Sequence, residues 1–138
     1  MDSNIKKHWE KYYLQTDLNS EGNVEVFSEF FIQNHHYFRE AILDLGCGDG
    51  KVLKILRKYG LSDIYGIDCS SSAIKLSEQT LLEEKLKSNL VEGDMEKIGD
   101  FFPNKEFNTL ISNMSLHQGT FDYARNLLKR QEYVRSGA

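Results

Sequence analysis

Proline is almost missing from these 138 residues, Pro103 standing alone, so no proline-rich linker or polyproline recognition segment divides the chain. Cysteine is scarce as well. Cys47 and Cys69 are too few for a disulfide framework or a zinc site. Each follows an apolar, strand-like run, and they read as small buried thiols of a reducing compartment, with a thiol pair as the alternative. No run reaches the roughly 18 consecutive apolar residues of a membrane helix. The start, Met1-Asp2-Ser3-Asn4-Ile5-Lys6-Lys7, has no apolar stretch of signal-peptide type, so a cytoplasmic chain without membrane partners is expected. Nor does charge of one sign gather in blocks: 17 Lys and Arg against 21 Asp and Glu give a formal net charge of −4, which mildly repels nucleic acid. Neither nucleic acid nor an anionic membrane is expected to bind.

What is present suits one folded domain, with 40% hydrophobic and 12% aromatic residues. Ile5, Trp9, Tyr12 and Tyr13 repeat at helical spacing and predict an amphipathic helix over residues 5–14. A polar loop to Gly22 follows, and Asn23 is placed to cap a second helix with Val24, Phe27 and Phe31 on one face. These elements, residues 1–40, form an expected helical cap; residues 41–138 form the main domain. There, strand-like runs at Ala41–Leu45, Ile64–Ile67, Leu90–Val91 and Thr109–Ile111 alternate with helix-like segments at Lys51–Tyr59 and Ser70–Lys87 and a last helix from Thr120. Alternation of this kind predicts an α/β fold with a parallel sheet and helices on both faces.

The chemistry concentrates in Asp44-Leu45-Gly46-Cys47-Gly48-Asp49-Gly50. Alternate glycines let a strand turn sharply into a helix while the backbone approaches a ligand that any side chain would block. The dinucleotide fingerprint needs a glycine where Lys51 stands, which argues against NAD; the phosphate loop needs Ser or Thr where Val52 stands, which argues against ATP. Asp68, ending the second strand, sits where a carboxylate accepts hydrogen bonds from a ribose. Gly93-Asp94-Met95 places another carboxylate after the third strand. In an open parallel sheet all of these map to one edge, beyond the carboxyl ends of the strands.

Ile42 to Gly50, Gly66-Ile67-Asp68, Gly93-Asp94-Met95 and Asn108 to Asn113 together resemble successive motifs of the class I, seven-strand, Rossmann-like S-adenosylmethionine-dependent methyltransferases, over residues 41–118. The resemblance implies a doubly wound parallel sheet with S-adenosylmethionine as cofactor, and an enzyme that methylates a small molecule. It implies that Gly46, Cys47, Gly48 and Gly50 surround the methionine part, that Asp44 orders the turn, and that Asp68 with Cys69 flanks the ribose. Asp94 and Met95 would hold the adenine, Asn113 would border the methyl group, and Tyr13, in an aromatic helix similar to the lid of small-molecule members, would close over the cofactor.

Plainer readings stand beside these. The glycine turn can be an ordinary strand-to-helix loop, Gly93-Asp94 ordinary turn chemistry, and Trp9, Tyr12 and Tyr13 core packing. His117 is a candidate general base, as Asn113 is a candidate catalytic neighbour, against the reading of a solvated loop histidine. His35 and His36 lack a second ligand pair, so no metal is expected. Lys51, Lys54, Arg57 and Lys58 read as one solvated helix face. The resemblance also falls short: beyond Asn113 too few residues remain for three more strands at roughly 30 residues per strand and crossover. The sheet is therefore expected to be incomplete on its C-terminal side, with the fourth strand open to a second copy or a completing partner. A cofactor-binding or interaction domain without catalysis is the alternative function.

Overall fold

Runs of Ile, Leu and Val too short for a helix become strands where glycine and polar residues stop them. A computed structural model, which describes residues 24–87, 89–112 and 134–135, places β1 at Ile42–Leu45, β2 at Ile64–Asp68, β3 at Leu90–Glu92, β4 at Thr109–Ile111 and a two-residue β5 at Val134–Arg135. Every ladder is parallel, and the order is β3-β2-β1-β4-β5. The chain winds outward from β1 to β3 and then crosses back to the other side of β1. The winding direction therefore reverses between β1 and β4, which opens a crevice at their carboxyl ends.

Five helices are described: α1 at Val24–Asn34, α2 at Lys51–Lys58, α3 at Ser71–Leu81, α4 at Glu84–Lys87 and α5 at Ile98–Phe101. Strand residues point alternately to two cores. Phe27 and Phe31 of α1, Leu53 and Leu56 of α2, and Ile74 and Leu81 of α3 pack with Ile42 and Ile64 on one face. Leu43, Leu45, Ile67 and Leu110 face the other way, against Met95, Ile98 and Phe107. The sheet is thus the Rossmann-like, helix-flanked architecture expected, with the second helix of the N-terminal segment sharing the core of the main domain. His35 and His36 lie exposed in a 3-10 turn after α1. Residues 5–14, Asn23 and the helix expected from Thr120 fall outside the described residues. Among the described residues, no helix is long and apolar enough to cross a membrane.

Two expectations need correcting. The single helix predicted over Ser70–Lys87 breaks after Leu81, because Leu82 takes a left-handed conformation at φ 59° and ends the hydrogen-bonding run with its N–H on the Glu78 carbonyl. The fourth strand does not lie open: Thr109 and Leu110 pair with Val134 and Arg135. Two extended residues suffice to satisfy part of a ladder, and an apolar edge favours such cover. Among the described residues the sheet nonetheless has five strands, short of seven.

Leu82 carries a testable cost. Its side chain is 80% exposed, so it recovers little by burial, while a left-handed non-glycine residue is unfavourable by roughly 1–2 kcal/mol. Leu82→Gly is expected to stabilise the chain by about 0.5–1 kcal/mol after the added entropy of the unfolded state is subtracted. A thermal melt should show a midpoint higher by about 2 °C; a lower midpoint would contradict the left-handed cap.

Candidate functional site

At the end of β1 the aliphatic run gives way to Asp44, Leu45 and the glycines, and the turn hooks onto the neighbouring strand. Gly46 and Cys47 both donate their N–H groups to the Ile67 carbonyl, at 2.8 and 3.0 Å. Gly46, Gly48 and Gly50 have φ values of 72, 57 and 83°, conformations that disfavour any side chain. Gly50 is the residue before α2, and Asp49 Oδ1 accepts from the Lys51 N–H at 3.2 Å, which covers one of the free amides opening that helix. Gly66 lies opposite Asp44 in the β1–β2 ladder. A Cβ there would stand 2.9 Å from the Cys47 sulfur, so its absence lets the turn fold down against β2.

Asp68 joins the pieces. Its Oδ2 accepts from the Gly48 N–H and its Oδ1 from the Ser70 N–H, both at 3.0 Å. Ser70 in turn caps α3, its hydroxyl accepting from the Ala73 N–H at 3.1 Å. One carboxylate therefore fixes both the glycine turn and the entry to α3. The third strand is tied in where Gly93 donates its N–H to the Asp68 carbonyl at 2.9 Å. Asp94 then caps a short 3-10 turn through the Glu96 N–H at 2.9 Å, and Met95 is buried beneath it.

Asp44 and Asp68 thus lie at the carboxyl ends of β1 and β2, and Gly46, Cys47, Gly48, Gly50, Cys69, Asp94 and Met95 follow the ends of three adjacent strands, the edge to which the sequence assigned them. Tyr13, Asn113 and His117 fall outside the described residues. Ser77 was missed. It lies on α3 with its hydroxyl on the Gly48 carbonyl at 2.7 Å, and the only hint in the sequence was a serine at a core-facing helical position.

The electrostatics test which ligand fits. Asp44 is 1% exposed and its Oδ1 has no hydrogen-bond partner. Burial first, then the carboxylates of Asp68 and Asp49, push its carboxyl well above the ordinary range. Burial, Asp68 and Asp44 likewise hold the Cys47 thiol protonated. A cation docking at this turn would favour release of the Asp44 proton and pair with the carboxylate, whereas a pyrophosphate would meet only desolvated acids. The sulfonium and amino group of S-adenosylmethionine meet that demand; the phosphates of NAD or ATP do not.

Asp44 makes this measurable. Because its folded pKa is raised, the folded chain keeps a proton that the unfolded chain releases, so stability is lost as pH rises from the ordinary carboxylate value through the raised one. Asp44→Asn should therefore raise the ligand-free melting temperature near pH 7. The gain should shrink as pH falls below the ordinary carboxylate value of about 3.9, where the unfolded chain is protonated as well. Affinity for a cationic ligand should fall in the same variant. A melting temperature unchanged or lowered at neutral pH would show that Asp44 is not strained by burial.

Comparison with known proteins agrees with the geometry. Residues 42–134 match the methyltransferase domain family. EEF1A lysine methyltransferase 2 of Homo sapiens is 31% identical over 95% of this chain and 60% of its own length. A ribosomal RNA small subunit methyltransferase C of Pseudomonas syringae is 33% identical over 86% of this chain and 36% of its own. Among solved structures, magnesium protoporphyrin IX methyltransferase from Synechocystis, with S-adenosylmethionine bound, superposes with a TM-score of 0.63 at 17% identity over 93% of this chain and 69% of that one. The chain spans 60% or less of the length of the first three curated relatives. A glycine turn at the switch point, a carboxylate in the last two residues of each of the first two strands and a family match across most of the chain lead to one conclusion: this chain belongs to the class I S-adenosylmethionine-dependent methyltransferases.

Proposed function

We propose that this chain holds S-adenosylmethionine at the carboxyl edge of β1, β2 and β3 and serves methyl transfer to a lysine side chain of a protein. The observation that supports cofactor binding most directly is the desolvated carboxylate of Asp44, unpartnered at Oδ1, beneath a turn of three left-handed glycines. The cofactor, when bound, supplies an activated methyl group on a cationic sulfur. The chain's own part is to bind, orient and exclude water. Asp68 would hold the ribose, Asp94 and Met95 the adenine, and the backbone of Gly46 and Gly48 the methionine part. Tyr13 and Asn113 complete the reading as the covering ring and the neighbour of the methyl group. A lysine acceptor must lose its proton before attack, and His117 is the candidate to take it.

The lysine reading is supported by the likeness to EEF1A lysine methyltransferase 2 across nearly the whole chain. A small-molecule acceptor is the second reading, resting on the similarity of Trp9-Glu10-Lys11-Tyr12-Tyr13 to the lid helix of small-molecule members. In either case the acceptor site needs more than the described sheet provides, and a completing partner or second copy along β5 belongs to this proposal.

Calorimetric titration with S-adenosylmethionine, S-adenosylhomocysteine and NAD tests the first step, with binding of the first two and none of NAD expected. Transfer of tritiated methyl to elongation factor 1A, to its lysine-blocked form and to pooled metabolites tests the second. Label in the unblocked protein alone supports the lysine reading, and label in metabolites supports the other. Binding without label in either arm identifies a cofactor-binding domain without catalysis.

A further inference from the structure

Along α3 the buried residues are Ala73, Ile74, Ser77 and Leu81. A hydroxyl in that row, fully shielded from solvent at 0% exposure, is unfavourable unless it is hydrogen-bonded. Its partner is the cofactor turn. The Ser77 hydroxyl donates to the Gly48 carbonyl at 2.7 Å. That uses its only proton, so in the 3.8 Å contact between Cys47 Sγ and Ser77 Oγ the thiol is the donor. The Gly48 N–H is meanwhile held by Asp68. Both polar groups of residue 48 are thus tied down, one by β2 and one by α3. The helix also presses on the turn at a second point, since a Cβ at Gly50 would lie 2.9 Å from the Ser77 Cα.

We infer that Ser77 is a positioning residue for the cofactor turn, holding the Gly48–Asp49 peptide in its binding orientation before the cofactor arrives. The inference rests on the proposed cofactor site. Glycine loses more backbone freedom on ordering than any other residue, and a turn carrying three of them would otherwise be ordered at the expense of binding energy. A hydrogen bond from a rigid helix does that ordering in advance.

The test compares Ser77→Ala with Leu81→Val, a loss of packing on the same helix away from the turn. S-adenosylhomocysteine affinity is measured by calorimetry at a temperature where circular dichroism shows both variants folded. Ser77→Ala should bind about tenfold more weakly. Leu81→Val should bind as the parent chain does despite a lower melting temperature. In the ligand-free protein, the Asp49 amide resonance should move in Ser77→Ala and not in Leu81→Val, because that nitrogen shares the peptide whose carbonyl loses its donor. Parent-like affinity in Ser77→Ala beside a parent chain that binds would overturn the inference alone. Equal weakening in both variants would reduce Ser77 to general packing and overturn it too. A parent chain that binds no S-adenosylhomocysteine would overturn the proposed function and this inference with it.

Discussion

Gly48→Val should bind neither S-adenosylmethionine nor S-adenosylhomocysteine at concentrations that saturate the parent chain, a loss of at least about a hundredfold. At φ 57° a β-branched residue is strained. Relief of that strain would rotate the Cys47–Gly48 peptide, whose N–H reaches Asp68, and the Gly48–Asp49 peptide, whose carbonyl receives Ser77. The fold should survive, because the strands lie outside the turn and Cys47 is the one turn residue that joins a core, although stability should fall by roughly 2 kcal/mol. Far-ultraviolet circular dichroism separates loss of binding from loss of structure. Normal binding by a folded Gly48→Val protein would mean that the turn does not cradle the cofactor.

Asp68→Ala should weaken S-adenosylhomocysteine binding by at least about tenfold, on the order of 1.5–3 kcal/mol for a charge-assisted contact. Asp68 is 6% exposed and already oriented by the Gly48 and Ser70 amides, so on the proposed reading a ribose would meet it without reorganisation. Truncation would also strip those two buried amides of their acceptor, so the melting temperature should fall as well. Titrating S-adenosylhomocysteine alongside a ribose-free fragment such as methionine distinguishes the two effects. A ribose contact is lost only for the nucleoside, whereas general loosening of the turn weakens both. Unchanged affinity for S-adenosylhomocysteine would sink the ribose assignment.

Much of this was legible in the sequence because the signals are local. Four apolar runs stopped by glycine, acid or serine marked β1 to β4 within a residue or two, and alternate glycines after Asp44 announced a sharp turn, which the structure builds with positive φ. The position of Asp68 followed from strand length alone. What escaped depends on contacts distant in sequence or on very small elements. Nothing in Leu81-Leu82-Glu83 marks a helix end, since leucine is a poor left-handed residue, and the break at Leu82 is imposed by the return of the chain toward β3. Val134–Arg135 is too short for any periodicity to register. The hydroxyl of Ser77 meets Gly48 only when α3 lies across the turn, a juxtaposition that sequence spacing does not encode.

An all-parallel sheet also dictates the order in which such a chain can assemble. Among the described residues no strand pairs with a neighbour through a hairpin; each ladder waits for a crossover to return, and Ile42 meets Thr109 only after nearly all the described residues have been laid down. Loop-closure entropy is therefore incurred before the central contacts repay it, and folding is slow by topology rather than by any one residue. During synthesis β1, β2 and β3 leave the ribosome together with the whole glycine turn, while the flank of β1 reserved for β4 stays uncovered until the crossover arrives. The half of the sheet that carries the glycine turn is the half able to form first.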